Sequence, residues 1–176
     1  MHKDIKEVLY THDQIIDACK KLGKQITEDY QDKELVLIGL LKGSVPFLAE
    51  LSKYIEVDAT FEYMDVSSYD GVHSRTITIK KDVDGDVKGK HILLVEDILD
   101  TGKTLSTVSA MFKERGASSV EIATMLDKVE GRTVPIEAKY VGYDIPNAFV
   151  VGFGLDFNEK YRNLPYVGIL KEECYM

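Results

Sequence analysis

Four separated stretches carry side chains whose type and spacing suit them for chemistry. The densest is His91 to Ser106, HILLVEDILDTGKTLS. Its first six residues, His91 to Glu96, are rich in Ile, Leu and Val, as a strand buried on both faces should be. Adjacent carboxylates, Glu96 and Asp97, stand where that apolar run ends. Asp100, Thr101, Gly102, Lys103 and Thr104 then lead into helical spacing. Backbone N–H groups and the helix dipole at such a turn attract a phosphate, and Thr hydroxyls add donors. Carboxylates beside a phosphate site need separate work, such as binding sugar hydroxyls or a metal. A Walker A loop would require Gly at position 97, which is Asp. An ordinary strand–loop–helix leaves the three carboxylates Glu96, Asp97 and Asp100 unexplained.

The other three stretches are weaker alone. Leu41-Lys42-Gly43-Ser44 joins an apolar run, Leu35 to Leu40, to a helical stretch over Val45–Tyr54 with Ser44 as its N-cap. This is a second anion site in outline, although most Lys-Gly loops mark only a turn. Ser67 to Ser74 interrupts two alternating strand patterns, Val57–Val66 and Arg75–Lys81, and is long for a hairpin loop. Its Ser, Tyr and Gly content reads as a lid, with Ser68 and Tyr69 as its working residues and His73 in solvent. Lys128 follows the apolar strand Ser119–Leu126, where an ammonium can donate to a carbonyl oxygen. Phe149-Val150-Val151 reads as a strand.

The elements that must position these residues follow from periodicity. Met1 to Tyr10 reads as a short strand or arm. Thr11 and Gln14 fit a capping box, and Ile15, Cys19, Leu22 and Ile26 fall on one helical face. A second apolar helical face runs through Leu105, Val108, Met111 and Phe112 to a stop at Gly116. Strands alternating with helices indicate a parallel α/β sheet, whose ligands sit at the carboxyl ends of strands. The loops named above begin at such ends.

A chain of 176 residues buries a real core, and one domain over 1–176 is expected. Its 44% hydrophobic and 30% charged residues are ordinary for a soluble protein. The net charge of −8, without a basic patch, argues against general nucleic-acid binding, and it requires local cations wherever a phosphate is held. Cys19 and Cys174 lack disulfide or metal spacing, which points to reduced thiols and a cytoplasmic protein. The polar N-terminus and the lack of a long apolar run predict neither signal peptide nor membrane anchor.

His91 to Ser106 resembles the diphosphate-sugar signature of the type I phosphoribosyltransferases, which bind 5-phosphoribosyl 1-diphosphate (PRPP). The resemblance implies that Glu96 and Asp97 hold the ribose hydroxyls and that Asp100 to Thr104 cradle the 5-phosphate. It implies that Leu41, Lys42 and Gly43 bind diphosphate, with a cis peptide before Lys42. It also implies a lid bearing Ser68 and Tyr69. The run Val141 to Asp156, with Tyr161 to Tyr166, is similar to the hood of the hypoxanthine-guanine branch of that family. There Lys128 would read the purine 6-oxo group, Phe149 would stack on the ring and the Val150 backbone would read its edge. Asp156 would help place Mg2+ with Glu96 and Asp97, and Arg162 would contact diphosphate. Asp100, close to the ribose acids yet without a hydroxyl of its own, is the expected general base.

The fold implied is a Rossmann-like α/β core: a central parallel sheet, helices on both faces, and a small hood over the base site built from the N- and C-terminal segments. The implied reaction is purine salvage, giving IMP or GMP and diphosphate from PRPP and a 6-oxopurine. Two readings compete with it: a PRPP-fold regulator that binds RNA, disfavoured by the acidic balance, and an enzyme preferring xanthine. Family habit and apolar faces lead us to expect a homodimer or homotetramer. Guanosine tetraphosphate, with its phosphates, is a candidate inhibitor at the same anion loops.

Overall fold

The structure, a computed structural model, describes residues 1–68 and 77–176. The expected lid residue Tyr69, with His73, lies outside them, and Ser68 enters only as the last backbone position of a strand.

β1 (Ile5–Tyr10) leads into α1 (His12–Asp29). The capping box is present in both directions: Gln14 N–H donates to Thr11 Oγ1 at 3.3 Å and Thr11 N–H donates to Gln14 Oε1 at 2.8 Å. Ile15, Cys19, Leu22 and Ile26 form the buried stripe of α1. Then come β2 (Leu35–Leu40), buried at every residue, and α2 (Val45–Leu51). α2 is shorter than the periodicity predicts, because Ser52–Tyr54 tightens into a 3₁₀ turn. The Ser44 cap is also corrected. Its backbone is already in the right-handed helical region and its side chain makes no capping bond.

β3 (Ala59–Ser68) and β4 (Ile77–Lys81) precede the central β5 (His91–Leu99) and α3 (Lys103–Glu114). β6 (Ser119–Asp127), β7 (Tyr140–Asp144), β8 (Val150–Val151) and β9 (Val167–Leu170) complete the chain. β7 and β9 were not foreseen as strands. Both are short, and β7 carries a Gly and an Asp that weaken any strand pattern.

Six strands form the main sheet in the order β4-β3-β2-β5-β6-β7. All its pairings are parallel except β3 with β4, an antiparallel edge. Strand period decides which helix covers which face. Leu35, Leu37, Leu93 and Val95 pack with Phe47 and Leu48 of α2 and the stripe of α1. The alternate residues Val36, Ile38, Ile92 and Leu94 pack with Leu105, Val108 and Phe112 of α3. Helices therefore cover both faces, which explains why the inner strands read as unbroken apolar runs.

A second, antiparallel sheet joins the chain's two ends in the order β1-β9-β8. Its small core is Ile5, Val151 and Leu170. Register aligns the carboxyl ends of the main strands: Gly39 faces Val95, and Leu99 faces Asp127. The loops after β2, β5 and β6 consequently open along one edge.

Candidate active site

The loop after β2 turns through a cis peptide between Leu41 and Lys42. Gly43 then passes so close to the carboxyl end of β5 that a Cβ there would overlap Asp97 Oδ2. Only glycine permits that approach. From the other side Gly154, with φ of +99°, comes so near that its own Cβ would overlap the Gly43 carbonyl. Ser44 follows, its hydroxyl buried without a hydrogen-bond partner among the described residues.

Glu96 and Asp97 occupy the carboxyl end of β5. Asp97 N–H donates to Glu96 Oε1 at 3.1 Å, and Ile98 N–H donates to Asp97 Oδ1 at 2.8 Å. Burial, then the neighbouring Asp97 charge, lifts the Glu96 carboxyl well above the ordinary range. Burial also raises Asp97, partly offset by its bond with Glu96, the Ile98 N–H and the Arg162 guanidinium. Two adjacent carboxylates, Asp97 buried and Glu96 half-buried, that resist ionising together form a site short of positive charge.

Beyond them Gly102, with φ of +79°, turns the chain into α3. A side chain there would strike Ile136 as well as strain the backbone. The first-turn N–H groups of α3 thus face a cavity of about 250 Å³ lined by Leu41, Glu96, Asp100, Thr101, Gly102 and Thr104. The pocket has the α3 N–H groups and the Thr101 and Thr104 hydroxyls on one wall and the Glu96 carboxylate on the other.

Lys128 N–H donates to the Leu99 carbonyl at 3.0 Å, and its ammonium sits 3.6 Å from Asp100 Oδ2. Nearby is a residue whose role the sequence did not reveal. Arg132 donates to the Asp100 carbonyl at 2.9 Å, the Ile136 carbonyl at 2.6 Å and the Leu99 carbonyl at 3.4 Å, and it pairs with Asp127. A nearly buried fork thereby ties the ends of β5 and β6 together. No spacing rule marks it, since two of its four partners are backbone carbonyls more than thirty residues away.

The hood loop after β8 supplies a second charged group. Arg162 donates to the Gly154 carbonyl at 2.7 Å and lies 3.0 Å from Asp156 Oδ1 and 3.2 Å from Glu159 Oε1. Lys42 reaches Glu159 at 2.9 Å, so the β2 loop and the hood loop are bridged by charge. Phe153, Asn158, Glu159 and Tyr161 all have positive φ, a concentration of unusual backbone that marks functional loops. Phe149 and Val150 lie in different surroundings. Val150 is buried in β8, whereas Phe149 stacks on Tyr175 at 4.8 Å and meets Phe157 edge-on at 5.5 Å.

Among the described residues no three His, Cys, Asp or Glu side chains form a self-sufficient metal cage. A magnesium ion nonetheless fits the donor set, because it commonly takes only one or two protein carboxylates and completes its shell with water and substrate oxygens. The raised Glu96–Asp97 pair supplies such ligands, and a dication would relieve their repulsion.

Residues 6–158 match the family described as the phosphoribosyl transferase domain. The hypoxanthine-guanine phosphoribosyltransferase of Streptococcus pneumoniae is 58% identical, over 99% of this chain and 98% of its own. The corresponding protein of Streptococcus thermophilus is 54% identical over the same shares. A crystal structure of a hypoxanthine phosphoribosyltransferase from Staphylococcus aureus superposes with a TM-score of 0.96 at 49% identity, covering 100% of this chain and 97% of that one. The Trypanosoma cruzi hypoxanthine phosphoribosyltransferase, solved in complex with IMP, gives 0.95 at 37% identity over 99% of both chains.

Proposed function

This chain belongs to the phosphoribosyl transferase family, and we propose that it transfers the 5-phosphoribosyl group from PRPP to hypoxanthine or guanine, releasing diphosphate and IMP or GMP. The observation that carries the reading is convergence at one sheet edge. The Asp100–Lys128 pair, the Glu96–Asp97 pair and the turn into α3 all lie at the aligned ends of β5 and β6. The relatives named for this reaction match almost the whole chain.

In this reading the first turn of α3, with Thr101 and Thr104, holds the 5-phosphate. Glu96 and Asp97 hold the ribose hydroxyls. Leu41, Lys42 and Gly43 present the β2 loop to the diphosphate, with Arg162 on its far side. Glu96 and Asp97 would hold magnesium together with substrate oxygens, with Asp156 helping to place it, and the ion would supply positive charge against the leaving diphosphate. Lys128 donates to the purine 6-oxo group, Phe149 stacks on the ring, the Val150 backbone reads its edge, and Ser68 and Tyr69 close over the reacting centre. Asp100 accepts or steers the N7 proton so that N9 attacks the anomeric carbon, which passes through an oxocarbenium-like state. The β1-β9-β8 sheet is the hood of a single domain.

We place the protein in the cytoplasm, as a homodimer or homotetramer. Among the described residues no helix is long and apolar enough to cross a membrane. Guanosine tetraphosphate competes with PRPP for the anion loops in this proposal, and no competition at millimolar levels would remove that part. The reaction itself is tested by following diphosphate release from PRPP with hypoxanthine or guanine, with and without magnesium. Release that needs both the base and the metal is expected. PRPP binding without release would make the chain a PRPP-sensing protein instead.

A further inference from the structure

The last residues of the chain bear on the purine site. Tyr175 is held in place by a C-terminal 3₁₀ turn, its N–H donating to the Glu172 carbonyl at 3.1 Å. Its ring lies on the Phe149 ring, with centroids 4.8 Å apart and planes within 20° of parallel. Phe157 meets the same Phe149 ring almost perpendicularly, at 5.5 Å and 89°. Phe157 also lies 6.5 Å from Tyr175, so the three rings form one closed cluster. Centroids 4.8 Å apart are those of an offset stack already in contact, with no gap for a third ring. Phe149 nevertheless remains 38% exposed. Tyr175 covers one face, Phe157 pins the ring's orientation, and more than a third of Phe149 stays open to solvent.

We propose that Tyr175 is a positioning residue for the purine, backing Phe149 so that its free face is held flat for stacking. This rests on the reading of Phe149 as the purine-stacking ring. A lone Phe just before a two-residue strand has free rotation about its side-chain bonds, and each purine bound would have to stop that rotation. A ring already held between Tyr175 and Phe157 needs no such ordering. The tyrosine hydroxyl has no part in this, so phenylalanine should serve equally well.

The test compares steady-state kinetics of Tyr175→Ala, Tyr175→Phe and Phe149→Ala with those of the full-length parent. Losing one aromatic pair should raise the KM for hypoxanthine and guanine about fivefold in Tyr175→Ala, on the scale of such pairs. The KM for PRPP should stay put, and Tyr175→Phe should behave like the parent. An unchanged purine KM in Tyr175→Ala would overturn the proposal, as would equal rises for purine and PRPP. A lowered purine KM would overturn it differently, by showing that Tyr175 stands where the purine binds. Phe149→Ala separates the two levels: if it leaves the purine KM unaltered, the stacking role of Phe149 itself fails. If it raises that KM while Tyr175→Ala does not, only the backing role fails. Thermal midpoints of both Tyr175 variants are measured alongside, so that the KM values are compared between folded proteins.

Discussion

The Lys128 ammonium lies 3.6 Å from Asp100 Oδ2. The side chain proposed to read the base and the one proposed to move its proton are therefore in electrostatic contact. Arg132 fixes the backbone beneath both, through the Asp100 carbonyl and through the Leu99 carbonyl that also accepts from the Lys128 N–H. Removing the Asp100 charge should damage the chemical step while leaving PRPP held by its other contacts. Asp100→Asn is expected to lower kcat about 100-fold or more with little change in the KM for PRPP. Comparable losses in both constants would assign Asp100 a positioning role.

Arg132 and Asp127 are both nearly buried, so deleting one leaves the other charge stranded. Arg132→Gln should destabilise the fold by about 3 kcal/mol. For a domain of this size that lowers the thermal midpoint by about 10 °C, measurable by calorimetry. Lysine should not restore it, since a single ammonium cannot reach the acceptors a planar fork serves. A midpoint within about 1 °C of the parent would show that the fork is dispensable.

Gly43 can be probed without backbone strain, because its conformation is not left-handed. Gly43→Ala adds one methyl directed at Asp97 Oδ2, which must give way. A displaced carboxylate at a reacting centre costs on the order of 100-fold in kcat/KM, and the loss should appear mainly in the KM for PRPP. Unaltered PRPP kinetics would mean that Asp97 does not bind the ribose.

The Glu96–Asp97 pair sets a pH dependence. The Glu96 carboxyl titrates above its unfolded value, first through burial and then through the Asp97 charge. Its stabilising contribution is thus complete at low pH and is lost as pH rises through the folded value. Glu96→Gln removes the charge, so the thermal midpoint of the ligand-free variant should exceed that of the parent at about pH 8 by more than at about pH 5. PRPP binding should weaken in the same variant. An equal difference at both pH values would show that the carboxyl is not raised.

Legibility in the chain depended on how local each signal is. Leu35–Leu40 and the start of β5 read as strands because both sheet faces are covered, which forces continuous apolar runs. The Thr11–Gln14 box is complete within one turn of helix, so sequence alone finds it. The loop proposed to hold the 5-phosphate is likewise contiguous, from Asp100 to Thr104. Arg132 and Tyr175 were not legible, because the Asp100 and Leu99 carbonyls that Arg132 joins and the rings that Tyr175 meets become neighbours only in the fold. Ser44 misled because Ser before an apolar helix is a good cap by type, yet its backbone had already turned helical. β7 and β9 are short strands, β7 pairing among the described residues with β6 alone and β9 lying between β1 and β8, so little of their pairing is local. The charge bridge from Lys42 to Glu159 spans most of the chain and left no trace in the sequence.

The most direct measurement is monophosphate formation from hypoxanthine, guanine, xanthine and adenine with PRPP and magnesium, by the parent and by Lys128→Met. Hypoxanthine and guanine should turn over while adenine stays inert, because Lys128 only donates and adenine offers a donor at that position. Lys128→Met should lose about 10- to 100-fold in kcat/KM for both 6-oxopurines, the scale of a hydrogen bond from a charged donor. Adenine turnover by the parent, or full activity in Lys128→Met, would contradict the assignment of Lys128 as the base reader. Xanthine as the best substrate would contradict the choice of hypoxanthine and guanine.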